Sequence, residues 1–127
     1  MDDAGRRALD RESYISLATF RKSGKAVATP VWCALVGERF YVFSEGSAGK
    51  VKRLRNSARI RVAPCTARGR VTGEWVDGSA RIVDDAATVE AAYAALHAKY
   101  GWQMWLADAL SRLTRRYEKR AVLELAL

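Results

Sequence analysis

The stretch from Gly46 to Gly73 reads GSAGKVKRLRNSARIRVAPCTARGRVTG. It carries Lys50, Lys52, Arg53, Arg55, Arg59, Arg61, Arg68 and Arg70, and no acid. The 127-residue chain has 22 basic and 14 acidic residues, so the remainder is balanced at 14 of each and the whole net charge of +8 lies in this segment. Positive charge confined in this way points to an anionic partner. Glu45-Gly46-Ser47-Ala48-Gly49 reads as a flexible link, and residues 50–56 as a short helix with Ser47 placed to cap it. The N–H groups and dipole at such a helix start favour a phosphate, and two glycines let backbone approach a ligand. Lys50 and Arg53 are one turn apart, as are Lys52 and Arg55. Each charge-assisted hydrogen bond to a phosphate contributes about 1.5–3 kcal/mol. A solvated basic helix explains the pattern equally well taken alone; the confinement of charge favours a binding role.

Thr29-Pro30-Val31-Trp32 is the second candidate. Proline cannot donate a ladder hydrogen bond, so Pro30 marks an edge, a bulge or a place where something else meets the backbone. A strand edge holding Pro and Trp can lay backbone groups along a flat ring, although barrel packing accounts more readily for Trp32 by itself. Trp75 reads as a barrel plug. His97, the single histidine, cannot build a histidine metal site. No zinc pattern, P-loop, GxGxxG, GxSxG or HExxH occurs. Cys33 and Cys65 lie in strand-like runs without CxxC spacing, as buried reduced thiols do.

The elements that must position these residues are short. Residues 3–12 read as a small amphipathic helix, and the pairs Asp2-Asp3 and Asp84-Asp85 as helix starts. Tyr14–Phe20 reads as a strand, Lys22–Lys25 as a hairpin turn, and Ala26–Val36 as one second strand with Val27, Thr29, Val31, Cys33 and Leu35 on one face. Arg39–Ser44, Arg59–Thr66 and Val71–Val83 follow as strands, the last broken or turned near Asp77-Gly78. Val51, Leu54 and Ala58 form the buried side of the basic helix. Helical spacing runs from Ala86 to Tyr100, Gly101 stops it, and a second helix extends from Trp102 to about Arg120 with a basic end at Arg115, Arg116, Lys119 and Arg120. Tyr93, Trp102, Trp105 and Tyr117 make a row that reads as helix core or a subunit interface. Ala121–Leu127 returns as a closing strand. The expected fold is one mainly β domain over residues 1–127, a small barrel of six to seven antiparallel strands with a C-terminal helical insertion.

The opening MDDAGRRALDRE lacks an apolar h-region, and the most apolar run, Ala26–Val36, is about half the length of a membrane span. A cytoplasmic protein without membrane association is expected. Nucleic acid is disfavoured because no aromatic residue is interleaved between the basic ones.

The ordered combination YISLATFRKSGKAVATPVWCALVGERFYVFS followed by GSAGKVKRLRNSARIRV resembles the pyridoxamine-5′-phosphate-oxidase-like split β-barrel superfamily. LRN-SARIRV stands where relatives carry a motif like K-x-x-x-L-x-x-(Asp/Asn). The chain is most similar to the small actinobacterial branch of deazaflavin (coenzyme F420)-dependent reductases, whose terminal helical pair has a sequence like Tyr100-Gly101-Trp102-Gln103. The resemblance implies a homodimer with a cofactor in a groove shared between subunits. The phosphate would lie on Lys50, Lys52 and Arg53, the ring against Pro30, Val31 and Trp32, with Thr29, Ser44 and Arg55 completing the expected set. The cofactor carries the hydride to a small unsaturated substrate, so no catalytic side chain is expected and no metal. FMN is the alternative cofactor. Coenzyme F420 is preferred because eight cations exceed what one phosphate needs, and Arg55, Arg59, Arg61, Arg68 and Arg70 could line a groove for its polyglutamate tail. A cofactor carrier or nucleic-acid binder without catalysis is the remaining alternative.

Overall fold

A computed structural model describes residues 1–115 and 119–127. Its elements in chain order are α1 (Asp3–Asp10), β1 (Tyr14–Phe20), β2 (Ala26–Val31), β3 (Ala34–Val36), β4 (Arg39–Glu45), α2 (Gly49–Asn56), β5 (Arg59–Cys65), β6 (Val76–Val83), α3 (Ala86–Tyr100), α4 (Trp102–Leu113) and β7 (Arg120–Ala126). The strands form one antiparallel sheet in the order β2-β1-β5-β6-β7-β4-β3.

The two outer strands of this sheet, β2 and β3, are consecutive in the chain and separated only by Trp32 and Cys33. A two-residue link spans about 10 Å at most, so the seven strands must curl until their edges nearly meet. The result is a barrel left open along one seam. The single strand expected over Ala26–Val36 is thus two strands. Its break has a physical cause: Cys33 N–H donates to Tyr100 Oη at 3.0 Å instead of to a neighbouring strand. Lys99 Nζ donates to Cys33 O at 2.7 Å, and Leu35 N–H donates to Asp10 Oδ1 at 3.1 Å.

Alternation fills the barrel. Ile15 and Leu17 of β1, Phe40 and Val42 of β4, Ile60 and Val62 of β5, and Leu123 and Leu125 of β7 are fully buried, and Val51 and Leu54 of α2 close one side. Ala58, expected beside them, is exposed, because Ser57 has already left the helix. The outer face of β4 is covered by α3: Tyr41 packs with Val83, Ala92 and Val122, while Phe43 packs with Trp32, Tyr93, Leu96 and Tyr100. Asp2 and Asp85 cap α1 and α3, accepting from Gly5 N–H and Thr88 N–H.

Four further expectations change. Val71 makes only an isolated bridge to Cys65, and Asp77-Gly78 lies inside β6 rather than breaking it. The helix begun at Trp102 ends at Leu113. Thr114 Oγ1 donates back to Leu110 O, Arg115 takes a left-handed φ of 61°, and Arg120 is the first residue of β7 rather than part of a basic helix end. Trp75 is half-buried beneath the Arg61 guanidinium, 5.6 Å from its ring centre, and belongs to none of the core clusters, so it does not plug the barrel. The expectations for Arg116 and Tyr117 lie outside the described residues. Cys33 and Cys65 are buried free thiols. Among the described residues, no helix is long and apolar enough to cross a membrane.

Candidate functional site

The open seam of the barrel borders a cavity of about 330 Å³ lined by Tyr14, Pro30, Val31, Trp32, Phe43, Lys50 and Ala107. This is within the size range of small-ligand sites. Pro30 can lie here because β2 is an edge strand, where a missing N–H costs no ladder bond. Trp32 is held by stacking on Tyr100, with ring centres 4.6 Å apart, and by an edge contact with Phe43 at 6.3 Å. Tyr100 is fixed in turn by donating its hydroxyl to Ser13 O at 2.9 Å, and burial pushes its phenol pKa up. The wall of the cavity is therefore rigid, built where the chain crosses the seam.

Lys50 enters from the first turn of α2. It is half-buried, and desolvation, then the nearby charge of Arg53, lower its pKa. A cation that no acid compensates among the described residues is poised to gain from an anion. No side chain caps α2. The backbone bonding of the helix begins with Val51 N–H on Ala48 O, and Ala48 N–H already donates to Glu45 O at 3.0 Å, so only the N–H groups of Gly49 and Lys50 are left for a ligand at this helix start. Ser47, expected as the cap, donates to Glu45 Oε1 at 2.9 Å instead, and the cap position falls on Ala48.

The structure brings together four of the nine expected residues, Pro30, Val31, Trp32 and Lys50. The other five lie elsewhere. Thr29 turns toward the barrel interior, where its hydroxyl is buried without a hydrogen-bond partner among the described residues. Ser44 follows Phe43 on β4 and so faces the opposite side, paired in register with Ala121. Lys52 is exposed. Arg53 Nε donates to the buried Thr19 Oγ1 at 2.6 Å, and burial lowers its pKa. Arg55 lines a different cavity of about 540 Å³ with Lys119, Tyr93 and Val122. Neither glycine of the link opens a path to a ligand. A Cβ on Gly46 would meet Lys119 O at 2.7 Å, and one on Gly49 would meet Arg53 Nη1 at 2.7 Å.

The remaining arginines divide. Arg59 covers the Phe20 ring at 4.1 Å, and Arg61 pairs with Asp77 at 3.2 Å. Arg68 and Arg70 are exposed on either side of Gly69, whose missing Cβ would lie 3.6 Å from Pro30 Cδ. Their turn therefore approaches Pro30, one of the cavity's lining residues, whereas Arg59 and Arg61 are engaged by Phe20 and Asp77. Tyr14, Phe43 and Ala107 were not foreseen as lining residues. Tyr14 and Phe43 were legible only as strand members, and Ala107 carries no signal at all.

A seven-stranded antiparallel sheet whose edges meet across a two-residue seam defines a split β-barrel. The sequence profile of the pyridoxamine 5′-phosphate oxidase family matches residues 1–127, and the chain belongs to that family. No curated protein matches it significantly. Among solved structures, the conserved hypothetical protein Rv2991 from Mycobacterium tuberculosis superposes with a TM-score of 0.71 at 17% identity, over 98% of this chain and 79% of that one. The heme storage protein HutZ from Vibrio cholerae gives 0.71 at 14% identity, over 98% and 88%. An FAD-binding protein from Mesorhizobium loti gives 0.65 at 18% identity, over 98% and 85%. At these identities the likeness is one of fold.

Proposed function

We propose that this protein is a cofactor-dependent oxidoreductase that binds a flavin-type cofactor, deazaflavin coenzyme F420 before FMN, in the cavity at the barrel seam. The observation that carries the proposal is the convergence of the Pro30–Trp32 backbone with the half-buried ammonium of Lys50 in one cavity. Family membership and an FAD-binding protein of the same fold support the class of cofactor.

When bound, such a cofactor supplies hydride transfer to or from a small unsaturated substrate. The protein's part is to bind and orient it. Lys50 and the uncapped start of α2 hold a phosphate, and Pro30 and Val31 present backbone to the ring. The Trp32–Tyr100–Phe43 cluster fixes the plane against which the ring lies and keeps water from that side. A homodimer, with the cavity bordered by the second subunit, belongs to the same reading.

Arg68 and Arg70, exposed on the turn whose Gly69 approaches Pro30, favour F420, since an acidic tail leaving the cavity on that side would meet them. FMN is the second reading, because Arg55 lines another cavity, Arg59 and Arg61 lie against Phe20 and Asp77, and a single phosphate suits Lys50 alone. The test is a titration of the protein and of Lys50→Met and Lys52→Met with each cofactor. Lys50→Met is expected to weaken binding at least tenfold. Lys52→Met, on the exposed side of α2, is expected to leave it within a factor of about two. Equal affinity in all three proteins would remove Lys50 from the site.

A further inference from the structure

The cavity of about 540 Å³ that Arg55 lines is larger than the one at the seam. It lies where the end of β6 meets the start of β7, against the first two turns of α3. The two cavities have no lining residue in common. Phe43 lines the seam cavity. Its ring packs on Tyr93 at 6.1 Å and on the Arg120 guanidinium at 4.4 Å, and both of these line the second cavity. This packed layer separates the two.

The floor of the second cavity is apolar and its mouth is charged. Val83 and Val122 are buried, Ile82, Val89 and Tyr93 are half-buried, and Arg55, Lys119 and Asp84 are exposed. The division follows from the sheet. Val83 pairs with Val122 on the face that α3 covers, while Ile82 packs against the barrel core. Gly46 N–H donates to Lys119 O at 2.7 Å, which fixes the backbone of Lys119 at the mouth. Among the described residues, neither the Arg55 guanidinium nor the Lys119 ammonium has a hydrogen-bond or ion-pair partner.

We propose that this cavity is a second ligand site, which takes a small carboxylate with an apolar body, such as a medium-chain or aryl-substituted acid. Ligand pockets of roughly 300–1,000 Å³ are mostly apolar, with a few polar groups that set orientation. Here the apolar body rests on Val83, Val89, Val122 and the Tyr93 ring, and the carboxylate meets Arg55 and Lys119. The arginine fork matches a carboxylate, and both cations make charge-assisted hydrogen bonds to it. Two cations against one acid disfavour an alkylammonium. Asp84 opposes a more highly charged anion, so a nucleotide or a free phosphate is a poorer occupant. The inference stands apart from the cofactor reading, because no residue of the seam cavity takes part in it.

The test is calorimetric titration of the full chain with octanoate and with 3-phenylpropionate, with octylamine and inorganic phosphate as controls. Saturable binding of at least one of the acids, and none of either control, is expected. Arg55→Met and Lys119→Met, both at exposed positions, should each weaken the acid at least fivefold. Val89→Trp, which fills the cavity, should abolish binding, and Lys52→Met, a cation of the same helix outside the cavity, should leave it within a factor of two. Far-ultraviolet circular dichroism checks that each variant is folded, and if Val89→Trp is not, the two charge variants decide. A wild type that binds neither acid overturns the proposal, as does one that binds octylamine or phosphate as tightly as the acids. Acid binding that is unchanged in both Arg55→Met and Lys119→Met also overturns it, because the acid then sits elsewhere on the protein.

Discussion

Tyr100, the last residue of α3, accepts the backbone N–H of Cys33 at 3.0 Å across 67 residues of sequence. Through this bond the helical insertion fixes the seam of the barrel and the ring of Trp32 that lines the cavity. Tyr100→Phe keeps the stacked ring but leaves a buried N–H without its acceptor, a loss of about 1–3 kcal/mol. At about 3–5 °C per kcal/mol for a chain of this length, thermal melting should fall by several degrees. Cofactor affinity should fall with it, since Pro30 and Val31 are held from the same link. An unchanged melting point would mean that the seam does not depend on this bond.

Asp108 and Arg120 form the polar counterpart, at 2.6 Å, with side chains 12% and 5% exposed. Arg120 also donates to Ala107 O and Ser111 Oγ, and His97 Nε2 meets Asp108 Oδ2 at 2.8 Å. Arg120→Met should be strongly destabilising, by about 3 kcal/mol or more, because it strands a buried carboxylate. Asp108→Asn with Arg120→Met should recover part of that loss. Chemical denaturation of the single and double variants reads both quantities.

The outer face of the β4–β7–β6 region sets two limits on pH stability. Hydrogen bonding from Arg81 is the largest influence holding the Glu124 carboxyl below its usual pKa, with a further contribution from Tyr41. A lowered carboxyl pKa contributes stability above the unfolded value, about 4.3, which is lost as pH falls through the folded value. Burial, followed by the bond to Glu124, pushes the Tyr41 phenol up to about 12. That raised pKa contributes stability below pH 10, lost as pH rises toward 12. Tyr41→Phe should flatten the alkaline limb, and Glu124→Gln the acid limb, of stability measured from pH 3 to 11. Identical acid limbs in wild type and Glu124→Gln would exclude this assignment.

Burial pushes the Cys33 thiol up to about 11, and desolvation also raises Cys65. Thiolate is the reactive form, so iodoacetamide at pH 8 should leave the folded protein unmodified and label two sites after denaturation. Labelling of the folded chain at Cys33, located by mass spectrometry, would show that the seam opens in solution.

Local pattern made much of this molecule legible. Tyr14–Phe20 and Ala86–Tyr100 occupy the spans expected of them, the first because a short run rich in β-branched and aromatic residues is buried on both faces as a central strand, the second because its apolar residues recur at helical spacing. The break after Val31 was not legible, since its cause is a tyrosine hydroxyl 67 residues away. The inward Asp108 and outward Trp105 of α4 show a second limit. A helical repeat identifies an apolar stripe but not whether that stripe faces its own sheet. In the candidate site, Pro30 and Lys50 could be read from residue type and position. Arg53 could not be excluded, because its partner Thr19 lies on β1, 34 residues earlier in the sequence.

Titration of wild type and Lys50→Met with coenzyme F420 and with FMN, followed by isothermal calorimetry, tests the proposed function most directly. Loss of one charge-assisted contact worth about 1.5–3 kcal/mol corresponds to about a 10- to 100-fold weaker Kd. Saturable binding of F420 by the wild type, weakened by that factor in Lys50→Met while the fold is retained, is the predicted result. Absence of binding by the wild type to either cofactor, or binding indifferent to Lys50, would contradict a flavin-type site at the barrel seam.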